Sequence, residues 1–154
     1  MNKVEELGKS SLFRDLPESE RNKLASIAHP HSFNAQDKIM IQGELAEELT
    51  LIVLGTVKLI RRLDTGEEEE VIVLGSGSYF GEFAVVNRGE VRAVTVYAME
   101  KTFALVFGAD ELNELCDNDP VLGHHVFRAI AKASARRIRT FIADTAYFKS
   151  LSKH

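Results

Sequence analysis

"LTLIVLGTVKLIRRLDTGEEEEVIVLGSGSYFGE", Leu49 to Glu82, decides the fold. Within it the runs "LTLIVLG", "VKLIRRL" and "EVIVLG" are rich in branched apolar residues, which fit a pleated, half-buried surface. Turn chemistry cuts them apart at Gly55, at Asp64 to Glu68 ("DTGEE") and at Gly75 to Ser78 ("GSGS"). The same pattern continues outward as "KIMIQ" before this stretch and as "AVTVYA" and "TFALVF" after it. No helical spacing separates the runs, so they predict antiparallel pairing instead of a parallel sheet with crossover helices. The expected fold is mainly β with flanking helices: a double-stranded β-helix, or jelly-roll barrel, over about residues 29–107.

The flanks are helical. Over about 1–28, Leu24, Ile27 and Ala28 share a face behind Pro17, which suits a first helical turn. Past the barrel, "ADELNELCDN" predicts a short amphipathic helix, and Pro120 opens a long one, the two occupying about 109–150. Along the long helix His124, Phe127, Ala131, Ser134, Ile138, Phe141, Thr145 and Phe148 recur in steps of three and four, a narrow seam that predicts a homodimer.

Composition fits one soluble domain of 154 residues: 45% hydrophobic, 27% charged, net charge -4. The N-terminus lacks the apolar core of a secretory signal, and no segment approaches the roughly 18 apolar residues of a membrane helix, so a cytoplasmic protein with no membrane partner is expected. Cys116 stands alone, which suits a reducing compartment and the role of a small buried side chain.

Most chemistry is excluded by pattern. The glycines of "GSGSYFG" at 75, 77 and 81 miss the dinucleotide spacing and have no βαβ unit around them. His29 and His31 have an HxH form without a carboxylate to complete a metal set, and His124 and His125 diverge by about 100° on a helix. No metal site is expected. No nucleophile motif or acid/base pair stands out, so no catalytic residue is assigned. Glu67 to Glu70 reads as a solvated hairpin tip. From Arg128 onward there are seven Lys or Arg against Asp144 alone, which fits a solvated helix face or, functionally, a surface that steers an acidic partner.

"FGEFAVVNRGEVRAVTV", Phe80 to Val96, is the exception. Gly81 lets the backbone approach a ligand closely, and the short turn "GEFA" offers N–H groups to an anion. Arg92 supplies a planar, permanently charged fork of donors, and Glu82 supplies an acceptor for a hydroxyl. Opposite charges at one pocket make sense around a shared ligand, since either alone is costly to bury.

With those residues, "FGEFAVVNRGEVRAVTVYA" resembles the phosphate-binding cassette of the cyclic nucleotide-binding domain family, which includes the ligand domains of catabolite activator protein and of cyclic-AMP-dependent kinase regulatory subunits. "LFRDLPESERNKLA" and "DPVLGHHVFRAIAKASARRIR" resemble the family's flanking helices, so the likeness runs over roughly residues 10 to 142. The resemblance implies that Gly81, Glu82, Phe83 and Ala84 line the phosphate and ribose, with Glu82 on the 2′-hydroxyl. It implies that Arg92 holds the phosphate and that Ala93 and Val94 close the pocket, with Arg139, Thr140 and Phe141 as candidates to cap the purine. Val91 stands where many members have proline, and "AVV" replaces a leucine-containing triplet; both are apolar exchanges. Ala93, where a hydroxyl residue often accompanies cyclic GMP, tilts the ligand towards cyclic AMP. The implied protein is a non-catalytic sensor that signals to a separate partner without contacting DNA, since no DNA-reading helix follows the long one. The alternative is a relative that has lost nucleotide binding and serves as a dimerising interaction module.

Overall fold

The computed structural model describes residues 1–152. Two helices open the chain, α1 (Lys3–Lys9) and α2 (Glu18–Ala25). Asn2 starts the first by accepting the Glu5 N–H through its side chain, and Pro17 occupies the N-cap position of the second without a side-chain hydrogen bond. Eight strands follow: β1 (His29–Phe33), β2 (Lys38–Met40), β3 (Glu48–Leu54), β4 (Val57–Arg62), β5 (Glu68–Leu74), β6 (Tyr79–Phe80), β7 (Thr95–Ala98) and β8 (Thr102–Gly108). A one-turn helix, α3 (Phe83–Val86), sits between β6 and β7. The chain continues with α4 (Ala109–Asn118) and α5 (Pro120–Ser152).

The strands form two antiparallel four-stranded sheets, in the orders β1-β8-β3-β6 and β2-β7-β4-β5. This is the jelly roll with helical flanks that the strand runs predict. Gly55 makes one of its sharp corners, with φ at +128° and no room for a Cβ beside Thr102. Between the sheets lies a small core of Ile52, Val57, Leu59, Leu74, Phe80 and Val96. A larger core joins the first sheet to the helices, where the rings of Phe13 and Phe107 meet edge to face at 5.9 Å. Each fully buried leucine there contributes about 1.5–3 kcal/mol of transfer free energy.

Two local differences have physical causes. "HPHSF" is a strand although it does not alternate; its pairing with β8, His29 opposite Val106 through Phe33 opposite Thr102, imposes the conformation. Glu68 to Glu70 lie inside β5 and not at the hairpin tip, because β5 is an edge strand whose first half is exposed and tolerates charge. The tip itself is the turn closed by Gly66 N–H to Leu63 O.

α5 buries Leu122, Val126, Ile130 and Ala133 along one stripe. Its base is locked to α4 at Gly123, where a Cβ would come within 2.8 Å of the Cys116 carbonyl oxygen. The Cys116 thiol, buried at that contact, is pushed up to about 11 by loss of solvent. From Ile138 to Ser152 every residue of the helix is exposed. Among the described residues no helix is long and apolar enough to cross a membrane.

Candidate functional site

The site begins where β6 ends. Gly81 takes φ +84°, and a Cβ there would lie 2.5 Å from the Glu48 carbonyl oxygen and 3.0 Å from Arg92 Nη1. Only glycine fits, both for the dihedral and for the space. The reversal leads into α3, whose first turn leaves the Glu82 and Phe83 N–H groups without an acceptor among the described residues. Ala84 is buried beneath them at 1% exposure, so it supports the turn without lining the cavity beside Arg92.

Arg92 reaches this turn from the far side. Its backbone is pinned to the loop before β3, its N–H donating to Glu44 O at 2.7 Å and its carbonyl accepting from Gly43 N–H at 2.8 Å. Its guanidinium donates to Glu48 O at 3.1 Å. Burial lowers the Arg92 pKa, and the carboxylates of Glu48, Glu47 and Glu82 oppose that shift. Arg92 stays charged, because the fall starts from a very high value.

These groups surround one cavity of about 170 Å³. Of the residues singled out in the sequence, it is lined by Gly81, Glu82, Phe83, Arg92, Ala93, Val94 and Phe141. Leu59, Val71, Ile72 and Phe80 add an apolar wall from the roll. Arg139 and Thr140 do not line it: Arg139 is exposed, and the Thr140 hydroxyl turns back to Arg136 O at 3.1 Å. Arg88 does not face it either, being paired with Asp110.

The cavity holds a residue that sequence reasoning missed, Arg137. It lies 3.4 Å from Glu82 Oε1, donates to Tyr79 O at 2.9 Å, and sits over the Tyr79 ring at 4.2 Å. Glu82, 7% exposed, thus has Arg137 as its ion-pair partner among the described residues, not Arg92. The available signal was the helix period: the buried stripe of Leu122, Val126, Ile130 and Ala133 continues at the next step to Arg137. A cation on an otherwise apolar stripe asks for a buried anion.

The arrangement offers a fixed cation, a buried carboxylate, a turn of free N–H groups and flat apolar walls. Such a set can hold a compact anion that also carries a hydroxyl and a planar group.

The sequence profile described as cyclic nucleotide-binding domain matches residues 30–119. The chain is 30% identical over 130 residues to a protein named cyclic AMP receptor protein from Thermus thermophilus, a match covering 84% of this chain and 58% of that protein. It spans less than two thirds of the length of the curated relatives it matches. Among solved structures, a cyclic nucleotide-binding domain from Methylobacillus flagellatus superposes with a TM-score of 0.79 at 25% identity, over 90% of this chain and 77% of that one. Catabolite activator protein from Thermus thermophilus gives 0.74 at 27% identity, over 91% and 63%.

Proposed function

Because the chain belongs to the cyclic nucleotide-binding domain family, we propose that it is a non-catalytic cytoplasmic sensor that binds cyclic AMP ahead of cyclic GMP. The observation that carries this reading is the convergence of Arg92, Glu82 and the Gly81 turn on one apolar-walled cavity. In it, Arg92 and the Glu82 and Phe83 N–H groups hold the cyclic phosphate, Glu82 accepts from the ribose 2′-hydroxyl, and Val71, Ile72 and Phe141 flank the base.

At about 170 Å³ the cavity is smaller than the roughly 300–1,000 Å³ usual for ligand pockets. A nucleotide therefore has to displace part of the wall, and Arg137 and Phe141 are the part that α5 contributes. Entry couples occupancy to the position of that helix, with the free energy coming from differential affinity for its two arrangements. The second half of α5 carries exposed Ile138, Phe141 and Phe148 and serves as the dimer seam; the signal passes from it to a separate protein.

Calorimetric titration with each nucleotide is the test. Binding with a rise in melting temperature is expected, about 2.7 kcal/mol of stabilisation at a hundredfold excess over Kd. No heat and no thermal shift with either nucleotide at millimolar concentration overturns the reading. That result would favour the dimerising module without ligand, to which one observation points: Arg137 already neutralises Glu82.

A further inference from the structure

A second depression lies on another face of α5. His124, Arg128, Lys132 and Arg136 follow one another at four-residue steps, forming a stripe about 18 Å long with a basic side chain roughly every 6 Å. The facing wall is the segment from Ser11 to Pro17 between α1 and α2, and the groove between them encloses about 430 Å³. His125, on the same side, is held by Glu20 at 2.6 Å. Arg128, Lys132 and Arg136 enter no ion pair among the described residues. Arg136 reaches only the Ser11 carbonyl, at 3.4 Å. Neighbouring like charges at this spacing cost their own helix about 0.2–0.5 kcal/mol per pair. The stripe is thus a slight liability to the fold; Asp15 is the one acid among the groove's lining residues, against Arg128, Lys132 and Arg136, so the groove keeps a positive excess in a chain of net charge -4.

We propose that this groove docks an acidic segment of a partner protein in extended conformation. Same-side residues of an extended chain repeat every 6.6 Å or so, close to the cation spacing of about 6 Å, so alternate carboxylates can meet successive cations. Leu12, Leu16 and Ala129 give the groove an apolar floor for the segment's stem atoms. A lone phosphate or a pyrophosphate is too short to engage more than part of the stripe. A nucleic acid strand has the length, but the lining has no Phe, Tyr or Trp on which bases stack. The proposal stands on the groove alone and does not require the nucleotide reading. If α5 does move with occupancy, the width of the groove moves with it.

The test is fluorescence anisotropy of a labelled Glu-Ser-Glu-Ser-Glu-Ser-Glu peptide titrated with the full chain at low salt. Binding is expected, with Arg128→Glu and Lys132→Glu each weakening it by roughly fivefold or more, and with Arg61→Glu, the same charge change on β4, weakening it by less than about twofold. Thermal melts of the variants establish that each is folded. No binding of the peptide, or an equal response to all three substitutions, overturns the proposal. Tighter binding of a short oligothymidylate through the same residues also overturns it, by making the groove a nucleic-acid surface.

Discussion

Two arginines line the same cavity from different elements, and they are held in different ways. Arg92 belongs to the β-roll, where backbone hydrogen bonds to Gly43 and Glu44 fix it and Glu48 O receives its side chain. Arg137 belongs to α5, one turn beyond Ala133, the last buried residue of that helix. Its position rests on its own contacts with Glu82 and Tyr79. One wall is therefore fixed by backbone hydrogen bonds within the roll, while the other rests on side-chain contacts from a single helix. On the proposed function, preorganised charge belongs on the first wall and switching on the second.

The contrast can be broken by substitution. Arg92→Ala should weaken cyclic AMP binding by about 2–5 kcal/mol, the usual range for truncating one member of a buried charged contact. Calorimetry reads this directly, and a loss below about tenfold, or 1.4 kcal/mol, would hand the phosphate to Arg137 and reverse the roles of the two walls. Gly81→Ala should destabilise the free protein by about 1–3 kcal/mol, because it forces a side chain into a left-handed turn against Glu48 O. Urea unfolding measures it; a neutral result would mean that the turn has slack and the first wall is not rigid.

Arg137→Ala should cost less in affinity than Arg92→Ala, below about tenfold, while lowering the melting temperature of the nucleotide-free protein. A larger affinity loss than Arg92→Ala would make the helix the fixed wall. Ile138→Asp sharpens the comparison from outside: being exposed, it should change monomer stability by no more than about 0.5 kcal/mol while shifting sedimentation towards monomer. An unaltered dimer would place assembly on another surface. The smallest effect concerns the base of the helix, where Asp119 caps α5 through Leu122 N–H and pairs with Lys23. The Lys23 hydrogen bond, helped by the cap, holds the Asp119 carboxyl below its ordinary value. Its contribution to stability is complete above the unfolded pKa, about 3.9, and is lost as pH falls through the lower folded value. Asp119→Asn should flatten that part of an acid-unfolding curve; an unchanged curve would dissociate the pair from stability.

The roll was legible because its central strands carry Val, Ile and Leu between glycine turns, so local preference and final structure agree. β1 was not, since "HPHSF" has no pattern of its own and becomes a strand only through β8. β6, two residues long, is likewise a product of its pairing with β3. Within the site, Gly81, Glu82 and Arg92, singled out by residue type together with the family resemblance, line one cavity. Arg137 was hidden by a competing helical period: the seam through Phe127, Ser134 and Ile138 lies about 100° around the helix from the stripe that meets the core. Neither period is stronger in the amino-acid types, and only packing tells which one faces inward.

The 33-residue length of α5 has a mechanical meaning. From Ala133 to Ser152 the helix extends about 28 Å at 1.5 Å per residue, clamped at its base by the Gly123 crossing. A tilt of roughly 10° about Ala133, the last buried residue, would carry the tip about 5 Å sideways. On the proposed function, the exposed rod is a pointer that turns a displacement of ångström size at Arg137 into one large enough for another protein to read.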